Sequence, residues 1–183
     1  MISINMDGLN TDKINATTRY EPVPAGQHTL AIAKTREGAL CTRLSRSTQE
    51  DGTPKFTLSV FYSVAGEKKY KGINYNVDVL GSKTVVAKKG ANAGQSFNID
   101  FRGNLFQFLL NYGFTKEEVK AANISFSALE DEVALEEAGY KGIETDILVN
   151  GQSIAERLTT TKVVGEVKIS AKGNPYVVSI SAA

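Results

Sequence analysis

The sequence is short of the side chains that build metal centres and nucleophilic active sites. Among its 183 residues there is one cysteine, Cys41, and one histidine, His28. A single cysteine excludes a disulfide within the chain and fits a reducing compartment. A zinc site of the usual kind needs several cysteine or histidine ligands, which this chain cannot supply alone. Cys41 is therefore predicted to be a small apolar strand residue, and His28 a surface residue.

Motifs of the common enzyme classes are also missing. The sequence has no G-x-S-x-G elbow, no G-x-x-x-x-G-K-[ST] phosphate loop and no dinucleotide-binding glycine pattern after a strand. Neighbouring carboxylates such as Glu117 with Glu118 and Glu136 with Glu137 fall on predicted helices, where they resemble solvated faces or helix-start charges. We therefore predict no catalytic residues, no metal and no cofactor, and a protein that is not an enzyme.

Long apolar runs are absent as well. No run approaches the roughly 18 residues that a membrane span requires. The first residues, Met1 to Asp7, lack the basic start and apolar core of a signal peptide. The expectation is a soluble, cytoplasmic protein with no membrane partner.

The formal net charge of +1 says little about partners, but the charges are unevenly distributed. Residues 30–90 contain eleven basic and five acidic side chains, a surplus of six positive charges. Residues 115–146 contain nine acidic and three basic side chains, a surplus of six negative charges. Such asymmetry suggests a basic face opposed by an acidic one, although ordinary solvated surfaces would give the same count.

The clearest pattern in the chain lies between Pro54 and Gly81. Residues 56–64 alternate, with Phe56, Leu58, Val60, Tyr62 and Val64 on one face and Thr57, Ser59, Phe61 and Ser63 on the other. A period of two is typical of a half-buried strand. A turn at Ala65 to Glu67 leads into Lys68, Lys69, Tyr70 and Lys71, and the alternation then resumes from Ile73 to Val79. The pattern predicts a β-hairpin with a basic, aromatic tip.

An exposed aromatic ring beside lysines suits single-stranded nucleic acid, since rings stack on bases and ammonium groups attract phosphates. The residues predicted to stack are Tyr70 and Tyr75, with Phe61 or Tyr62. The cations predicted to line the phosphate path are Lys68, Lys69, Lys71, Arg43, Arg46, Lys83, Lys88 and Lys89. Tyr75 shares its face with Ile73 and Val77, so a core role is equally open to it. An ordinary solvated hairpin with a charged tip is the alternative interpretation.

The segments around this hairpin are predicted from turn residues and short alternating runs. Residues 1–20 read as an irregular arm, and the Pro-rich segment 21–26 marks the start of the folded domain, 21–183. Strands are expected over 27–36, with Leu30 and Ile32 inward, and over 40–47. Residues 48–54 read as a loop and residues 82–96 as a flexible basic loop.

The second half of the chain is predicted to contain a helical block at about 103–140. An apolar helix over 104–112 ends at Gly113, and Thr115 with Glu118 and Ser127 with Glu130 have the spacing of capping boxes. Gly139 ends the block, and residues 147–149 suggest a short strand. Residues 162–170 and 176–181 form a closing hairpin, in which Val163, Val167 and Ile169 are expected to face Tyr176, Val178 and Ile180. Several short strands with turn signals favour a mainly β barrel or sandwich with a helical insertion.

The order of several short motifs is similar to that of a group of small bacteriophage proteins. These motifs are YEPVPAG at 20–26, KGINYN at 71–76, the helix at 103–113, GEVKI at 165–169 and KGNPY at 172–176. From about residue 20 to 180 the chain resembles proteins that phages encode among their replication and recombination functions, in which a PAG turn opens a β-barrel. Those proteins are considered single-stranded DNA-binding proteins of the oligonucleotide/oligosaccharide-binding (OB) type.

The resemblance implies an OB-like barrel of five or six antiparallel strands, with the block at 103–140 as an insertion larger than a minimal barrel needs. It also implies sequence-tolerant binding of single-stranded DNA in the cytoplasm of a phage's host. The implied partners are single-stranded DNA and replication or recombination proteins, and a homo-oligomer is compatible with it. The competing hypothesis is a phage structural or interaction domain whose basic hairpin meets an acidic partner. A DNA mimic acting through the acidic helices is disfavoured by the nearly neutral net charge.

Overall fold

The protein is mainly β, as the alternating segments predict. The computed structural model describes residues 20–183, and strands account for 44% of the structure against 22% for helices. The predicted irregular arm, residues 1–20, lies outside the described residues except for Tyr20.

Residues 20–183 contain twelve strands and four α-helices. The strands are β1 (Gly26–Ile32), β2 (Thr42–Thr48), β3 (Pro54–Val64), β4 (Ile73–Leu80), β5 (Ser82–Val86), β6 (Ser96–Asp100), β7 (Ile124–Phe126), β8 (Ile143–Glu144), β9 (Ile147–Val149), β10 (Gln152–Ser153), β11 (Val163–Ile169) and β12 (Pro175–Ala182). The helices are α1 (Arg102–Asn111), α2 (Lys116–Ala121), α3 (Glu132–Ala138) and α4 (Ala155–Thr160), with 3₁₀ turns at Ser127–Glu130 and Gly139–Lys141. The block predicted as helical thus also holds the short strand β7.

The main sheet is built around β3, the longest strand. On one side β3 pairs with β4; on the other it pairs with β2 along residues 54–60 and with β1 along residues 62–64. β1 continues the sheet to β11 and then β12, and β8 pairs with β2 at the other end. All of these pairings are antiparallel. The hairpin predicted from the alternation over 54–81 is therefore confirmed as β3 and β4.

Helix α1 covers the gap between β4 and β12. The Cα atoms of these two strands approach within 8 Å of each other, but no closed barrel is detected in residues 20–183. Asn104 and Asn111 lie seven residues apart, hence on the same face of α1. The Asn104 side chain donates to the carbonyl of Asp78 in β4 (2.9 Å), and that of Asn111 donates to the carbonyl of Ile180 in β12 (3.1 Å). The helix thereby bridges the two strand edges.

The core lies between the inner face of β3 and helix α1. Leu58, Val60 and Tyr62 point inward and are fully buried, as the alternation predicts. Phe108 and Leu109 of α1 meet them from the other side and are equally buried. The predicted inward positions of β1, Leu30 and Ile32, are also buried, although β1 ends at Ile32 rather than at residue 36.

The local helix signals are confirmed in part. Gly113 follows α1, the Thr115–Glu118 capping box is formed at α2, and Gly139 ends α3 with a positive φ of 59°. The second capping box is wrong: Ser127 begins a 3₁₀ turn without a side-chain cap. Helix α3 is instead capped by Asp131, whose side chain accepts from the Ala134 amide at 3.0 Å.

Residues 82–96 are not the flexible loop that their glycines and lysines suggest. Residues 82–86 form β5, which pairs in register with β6 over 96–100. Its tip is folded by a hydrogen bond from the Gly94 amide to the Ala87 carbonyl at 2.8 Å. The prediction is wrong because neither face of this hairpin is buried. Its residues therefore show little of the alternation between apolar and polar side chains that predicts a strand.

The closing hairpin is present as β11 and β12. Ile180 pairs with Gly165 and so shares the face of Val163 and Val167 as predicted, but the predictions for Tyr176 and Val178 are wrong. Glu166 pairs with Ser179 whereas Val167 pairs with Val177, so Val178 is an extra residue on β12. This bulge changes which residues of β12 point inward beyond it. Val177 is buried as a result, and Tyr176 and Val178 are exposed.

Candidate nucleic-acid interface

Of the two neighbouring aromatics on β3, only Phe61 is available to a ligand. Phe61 points to the outer face of the sheet and is 37% exposed, whereas Tyr62 points inward and is 0% exposed. Successive side chains of a strand point to opposite faces, so both cannot be exposed together. The Tyr62 hydroxyl instead lies 2.7 Å from the Tyr112 hydroxyl inside the core. Tyr62 as a stacking residue is therefore wrong, and Phe61 remains.

Phe61 lies where β3 changes partner from β2 to β1. The Phe61 amide donates to the Cys41 carbonyl (3.0 Å), and its carbonyl accepts from the Ala33 amide (2.8 Å). Residues 33–41 form a short connection between β1 and β2, closed by a hydrogen bond from the Cys41 amide to the Ala33 carbonyl (3.0 Å). The Phe61 backbone is thus hydrogen-bonded to both ends of this connection.

The Phe61 ring rests on the backbone of Gly72. A Cβ atom at position 72 would overlap the Phe61 ring. The absence of a side chain at Gly72 thus leaves room for the Phe61 ring beside the start of β4. The ring keeps this contact and remains 37% exposed.

A groove of about 270 Å³ opens beside Phe61 on the outer face of the sheet. We call it the Phe61 groove; it is lined by Thr35, Leu40, Cys41, Thr42, Arg43, Ser59, Phe61, Asn74 and Glu144. Ser59 and Asn74 are outward positions of β3 and β4. Together the lining offers one ring face, a guanidinium group and neutral hydrogen-bonding groups.

The charges around the groove are mixed. Glu144 lies next to Arg43 across the β2–β8 pairing and partly offsets its charge. Lys34, Arg36 and Glu37 in residues 33–41 are all exposed. Both signs of charge therefore surround the groove.

The two arginines predicted to contact phosphate both have partners in the acidic segment, residues 115–146. Arg43 donates to the carbonyls of Lys141 (3.0 Å) and Gly142 (2.8 Å). Arg46 lies 3.8 Å from the Glu136 carboxylate of α3. Arg43 remains exposed and lines the groove, so it stays a candidate contact. Arg46 lies apart from the groove beside α3, and nothing brings it to Phe61.

The predicted basic tip, residues 65–72, carries three exposed lysines but a half-buried tyrosine. Lys68, Lys69 and Lys71 are exposed, while Tyr70 packs against the core. The segment at Glu21 docks beside it: the Glu21 amide donates to the Lys69 carbonyl (2.8 Å), and its carbonyl accepts from the Lys71 amide (2.9 Å). The prediction that Tyr70 is an exposed aromatic is wrong, because its ring is partly buried against the core.

Lys69 lies against the Tyr70 ring. The Lys69 ammonium lies 4.9 Å from the centre of the Tyr70 ring, a cation–π arrangement. Its contact with the Tyr70 hydroxyl, helped by the Glu21 carboxylate, raises the pKa of Lys69 above its usual value. Lysine is already protonated at neutral pH, so this shift does not change the charge of the tip. The edge of the Tyr70 ring meets His28, with ring centres 6.4 Å apart.

Tyr75 belongs to the inner face of β4. It lies between the buried Ile73 and Val77 and is half-buried against the core, where burial raises the pKa of its hydroxyl. Of the two roles left open by the sequence, packing is the one that its position supports.

The remaining predicted cations, Lys83, Lys88 and Lys89, are exposed on the β5–β6 hairpin. This hairpin starts at the end of β4 that is opposite the lysine tip. Eight residues of strand separate the two groups by about 26 Å. The predicted cations therefore form two separate clusters joined by β4, not one patch.

Sequence reasoning missed several groups that the fold brings to the surface. Ser59 and Asn74 could have been found as the outward positions of the alternating strands. Lys34 and Arg36 lie in what reads as strand, and their position beside Phe61 depends on long-range pairing. Phe97 and Ile99, both exposed, carry a period-two signal that the flanking glycines obscured.

Other kinds of site find no support in the part of the chain that the structure describes. Among residues 20–183 no group of three or more His, Cys, Asp or Glu side chains could hold a metal ion. His28 is bound to the Pro24 carbonyl at 2.8 Å. None of the helices in this range has the length and apolar character needed to cross a membrane.

Comparison with known proteins finds no relative for the chain. No protein-family model, no curated protein and no solved structure matches it.

Proposed function

We propose that the protein binds single-stranded DNA, without strong sequence preference and without catalysis, on the outer face of an OB-like barrel. The observation that carries the proposal is the exposed, positioned ring of Phe61 in a groove on the central strands, with Arg43, Ser59 and Asn74 beside it. An aromatic platform combined with cations and uncharged hydrogen-bonding groups is how single strands are held without base readout.

The strand order supports the OB-like part of the proposal. Taking β2 as a continuation of β1, the strands lie in the order β11–β1–β3–β4, which is the Greek-key order of a fourth strand beside the first. β12 then follows β11 and approaches β4. An OB barrel is a five-stranded, partly open Greek-key barrel, so the gap covered by α1 is compatible with it.

The position of the Phe61 groove agrees with this assignment. OB folds bind oligonucleotides on the face of their second and third strands. In the proposed numbering these are β3 and β4, whose outer face carries Phe61 and Asn74. The lysine tip then lies at one end of the binding face, where Lys68, Lys69 and Lys71 attract phosphates.

Oligonucleotide titration of the wild-type protein and a Phe61→Ala variant tests the proposal. Fluorescence anisotropy would compare labelled oligo-dT with a duplex of equal length at low and moderate salt. Wild type is expected to bind oligo-dT more tightly than duplex, and Phe61→Ala to lose about 1–3 kcal/mol of binding free energy, the usual value of one stacked base.

Substitutions at the same position provide the control. Phe61→Tyr keeps a ring and should bind like wild type, whereas Phe61→Leu keeps apolar bulk without a ring and should behave like Phe61→Ala. Circular dichroism and thermal unfolding check that each variant is folded. Absence of oligo-dT binding by wild type at low salt would end the proposal.

The biological setting of the proposal comes from the resemblance to phage replication and recombination proteins. In that setting the protein would coat single strands in the host cytoplasm and hand them to replication or recombination enzymes. Whether such enzymes bind it directly is measurable only after DNA binding itself is tested.

A further inference from the structure

The β5–β6 hairpin, residues 82–100, projects from the domain as an arm. All five residues of β6 and most of β5 are exposed. Its base is anchored: Gln49 donates to the Ser82 carbonyl (2.9 Å), the Phe101 amide donates to the Gly81 carbonyl (2.9 Å), and the Phe101 side chain is buried. A two-stranded hairpin alone is only marginally stable in water. Exposed strands on an anchored base therefore suggest that a partner binds to this hairpin.

One face of the arm combines an aromatic ring with apolar side chains. Lys83 pairs with Ile99 and Val85 pairs with Phe97, and paired residues of antiparallel strands share a face. Phe97 is 42% exposed and Ile99 39%. The ring of Phe97 is thus presented on a surface that no other part of residues 20–183 covers completely.

The charge of the arm identifies the partner as an anion. Residues 82–99 contain Lys83, Lys88 and Lys89 and no acidic residue. The one carboxylate at the base, Asp100, is held by the Arg102 guanidinium through contacts of 2.6 and 2.9 Å, which lower the pKa of Asp100. Three lysines on the same hairpin as an exposed ring repeat, on a second element, the chemistry of a single-strand binding surface.

We propose that the β5–β6 arm is a second binding element for single-stranded DNA, with Phe97 as its stacking residue. The proposal rests on the proposed function and extends it beyond the Phe61 groove. The arm leaves the domain where β4 ends, so a strand lying along the outer face of β4 reaches it directly. β5 adds about 17 Å to the surface available to the strand.

This arrangement makes affinity depend on the length of the oligonucleotide. A short strand occupies the Phe61 groove alone, whereas a longer strand also contacts the arm. Site sizes of OB folds range from about 4 to about 16 nucleotides, so lengths of about 6 and about 30 nucleotides separate the two cases.

The test compares wild type, Phe97→Ala and the triple variant Lys83→Ala, Lys88→Ala, Lys89→Ala on oligo-dT of both lengths. Both variants are expected to bind the long oligonucleotide about tenfold more weakly than wild type and the short one equally well. Phe97→Tyr should bind like wild type. A matched charge control is the triple variant Lys116→Ala, Lys120→Ala, Lys162→Ala, which should change neither affinity. Thermal unfolding verifies that the variants are folded.

The possible failures differ from one another. If wild type binds neither oligonucleotide, the proposed function fails and the arm proposal with it. If Phe61→Ala weakens binding of both lengths but the arm variants bind the long oligonucleotide like wild type, only the arm proposal is overturned. If the arm variants instead reduce the mass of the free protein in sedimentation, with DNA affinity unchanged, the arm docks a second copy and the proposal is also overturned.

Discussion

At the scale of single residues, the core contains one polar pair that belongs to neither the groove nor the arm. The hydroxyls of Tyr62 and Tyr112 are 2.7 Å apart, and both side chains are almost completely buried. Burial is the main cause that raises the pKa of each above the ordinary value of 10.0. Each hydroxyl satisfies the other, so an otherwise apolar core tolerates two phenols.

This pair predicts a loss of stability at alkaline pH. Because the folded-state pKa values lie above the unfolded ones, the stability that the neutral pair contributes is fully present below about pH 10 and falls as the pH rises further. The unfolded chain releases these protons first, so the free energy of unfolding should drop by about 1.4 kcal/mol per pH unit for each tyrosine. Urea unfolding between about pH 8 and about pH 11 measures the slope.

The double variant Tyr62→Phe, Tyr112→Phe is the control for this slope. It should lose most of the alkaline decrease while staying near wild-type stability at neutral pH, since both partners are removed together. Tyr62→Phe alone leaves the buried Tyr112 hydroxyl unpaired and should cost about 1–3 kcal/mol at neutral pH. An unchanged alkaline slope in the double variant would show that other groups cause the decrease.

At this scale the sequence predicts the strand face on which a side chain lies better than it predicts how exposed that side chain is. The alternation on β3 separates Phe61 from Tyr62 correctly, and burial of Tyr62 follows from its face. The surroundings of Tyr70 could not be predicted, because its neighbours Lys69 and Lys71 pair with Glu21, about 50 residues away in the sequence. Arg43 and Arg46 likewise meet partners 90 or more residues away, which no local pattern reveals.

At the scale of elements, α1 acts as the closure of the sheet. The helix is placed between β4 and β12 by its apolar face, and its two asparagines bind carbonyls of both strands. Without these bonds, the two carbonyls at the edges of β4 and β12 would lack these hydrogen-bond donors. Side chains of the helix thus supply part of the hydrogen bonding that β4 and β12 do not form with each other.

Asn111→Ala should open this closure. The Asn111 side chain is 7% exposed, so its removal leaves the Ile180 carbonyl without that donor in a mostly dry place. We expect a loss of about 1–2 kcal/mol in unfolding free energy and faster amide exchange in β12. Hydrogen–deuterium exchange measured by mass spectrometry resolves this strand.

Asn104→Ala is the matched control, because it removes the equivalent bond from an exposed position of the same helix. Its effect should be smaller, since water can replace the lost donor. Equal destabilisation by the two variants would contradict the role assigned to burial at Asn111.

The elements with a buried face could be predicted, and those without one could not. β3, β4 and α1 follow from their apolar periodicity, and the capping box at Thr115 from its spacing. The arm was missed because neither of its faces contributes to the core. The predicted faces of Tyr176 and Val178 on β12 are wrong because a one-residue bulge at Val178 reverses the alternation, and a bulge has no signal in a single sequence.

At the scale of the whole molecule, the acidic segment, residues 115–146, lies beside the basic segment, residues 30–90. Helix α3 lies beside β2, where Glu136 approaches Arg46, and Glu144 pairs across from Arg43. The acidic segment therefore neutralises one edge of the sheet. The tip carries three lysines beside Glu21 and Glu67, and the arm carries three lysines with no acidic residue over 82–99. A net charge of +1 is compatible with a strongly directional field.

This distribution predicts which cations determine the salt dependence of DNA binding. Lys68, Lys69 and Lys71 on the tip are exposed, and lysine is protonated at neutral pH. Replacing all three by alanine should reduce the slope of log affinity against log salt by about 2, at about 0.7 for each phosphate contact on a single strand. Anisotropy titrations with oligo-dT at several salt concentrations measure the slope.

The comparison for this slope is Lys116→Ala, Lys120→Ala and Lys162→Ala, a triple variant with the same change in net charge. These three lysines are exposed and lie away from the outer face of β3 and β4, and two of them are on α2. If DNA follows the path from the tip along β4, their removal leaves the slope unchanged because no phosphate contact is lost. Equal slopes for the two triple variants would mean that DNA responds to net charge alone, and the tip would have no place in the interface.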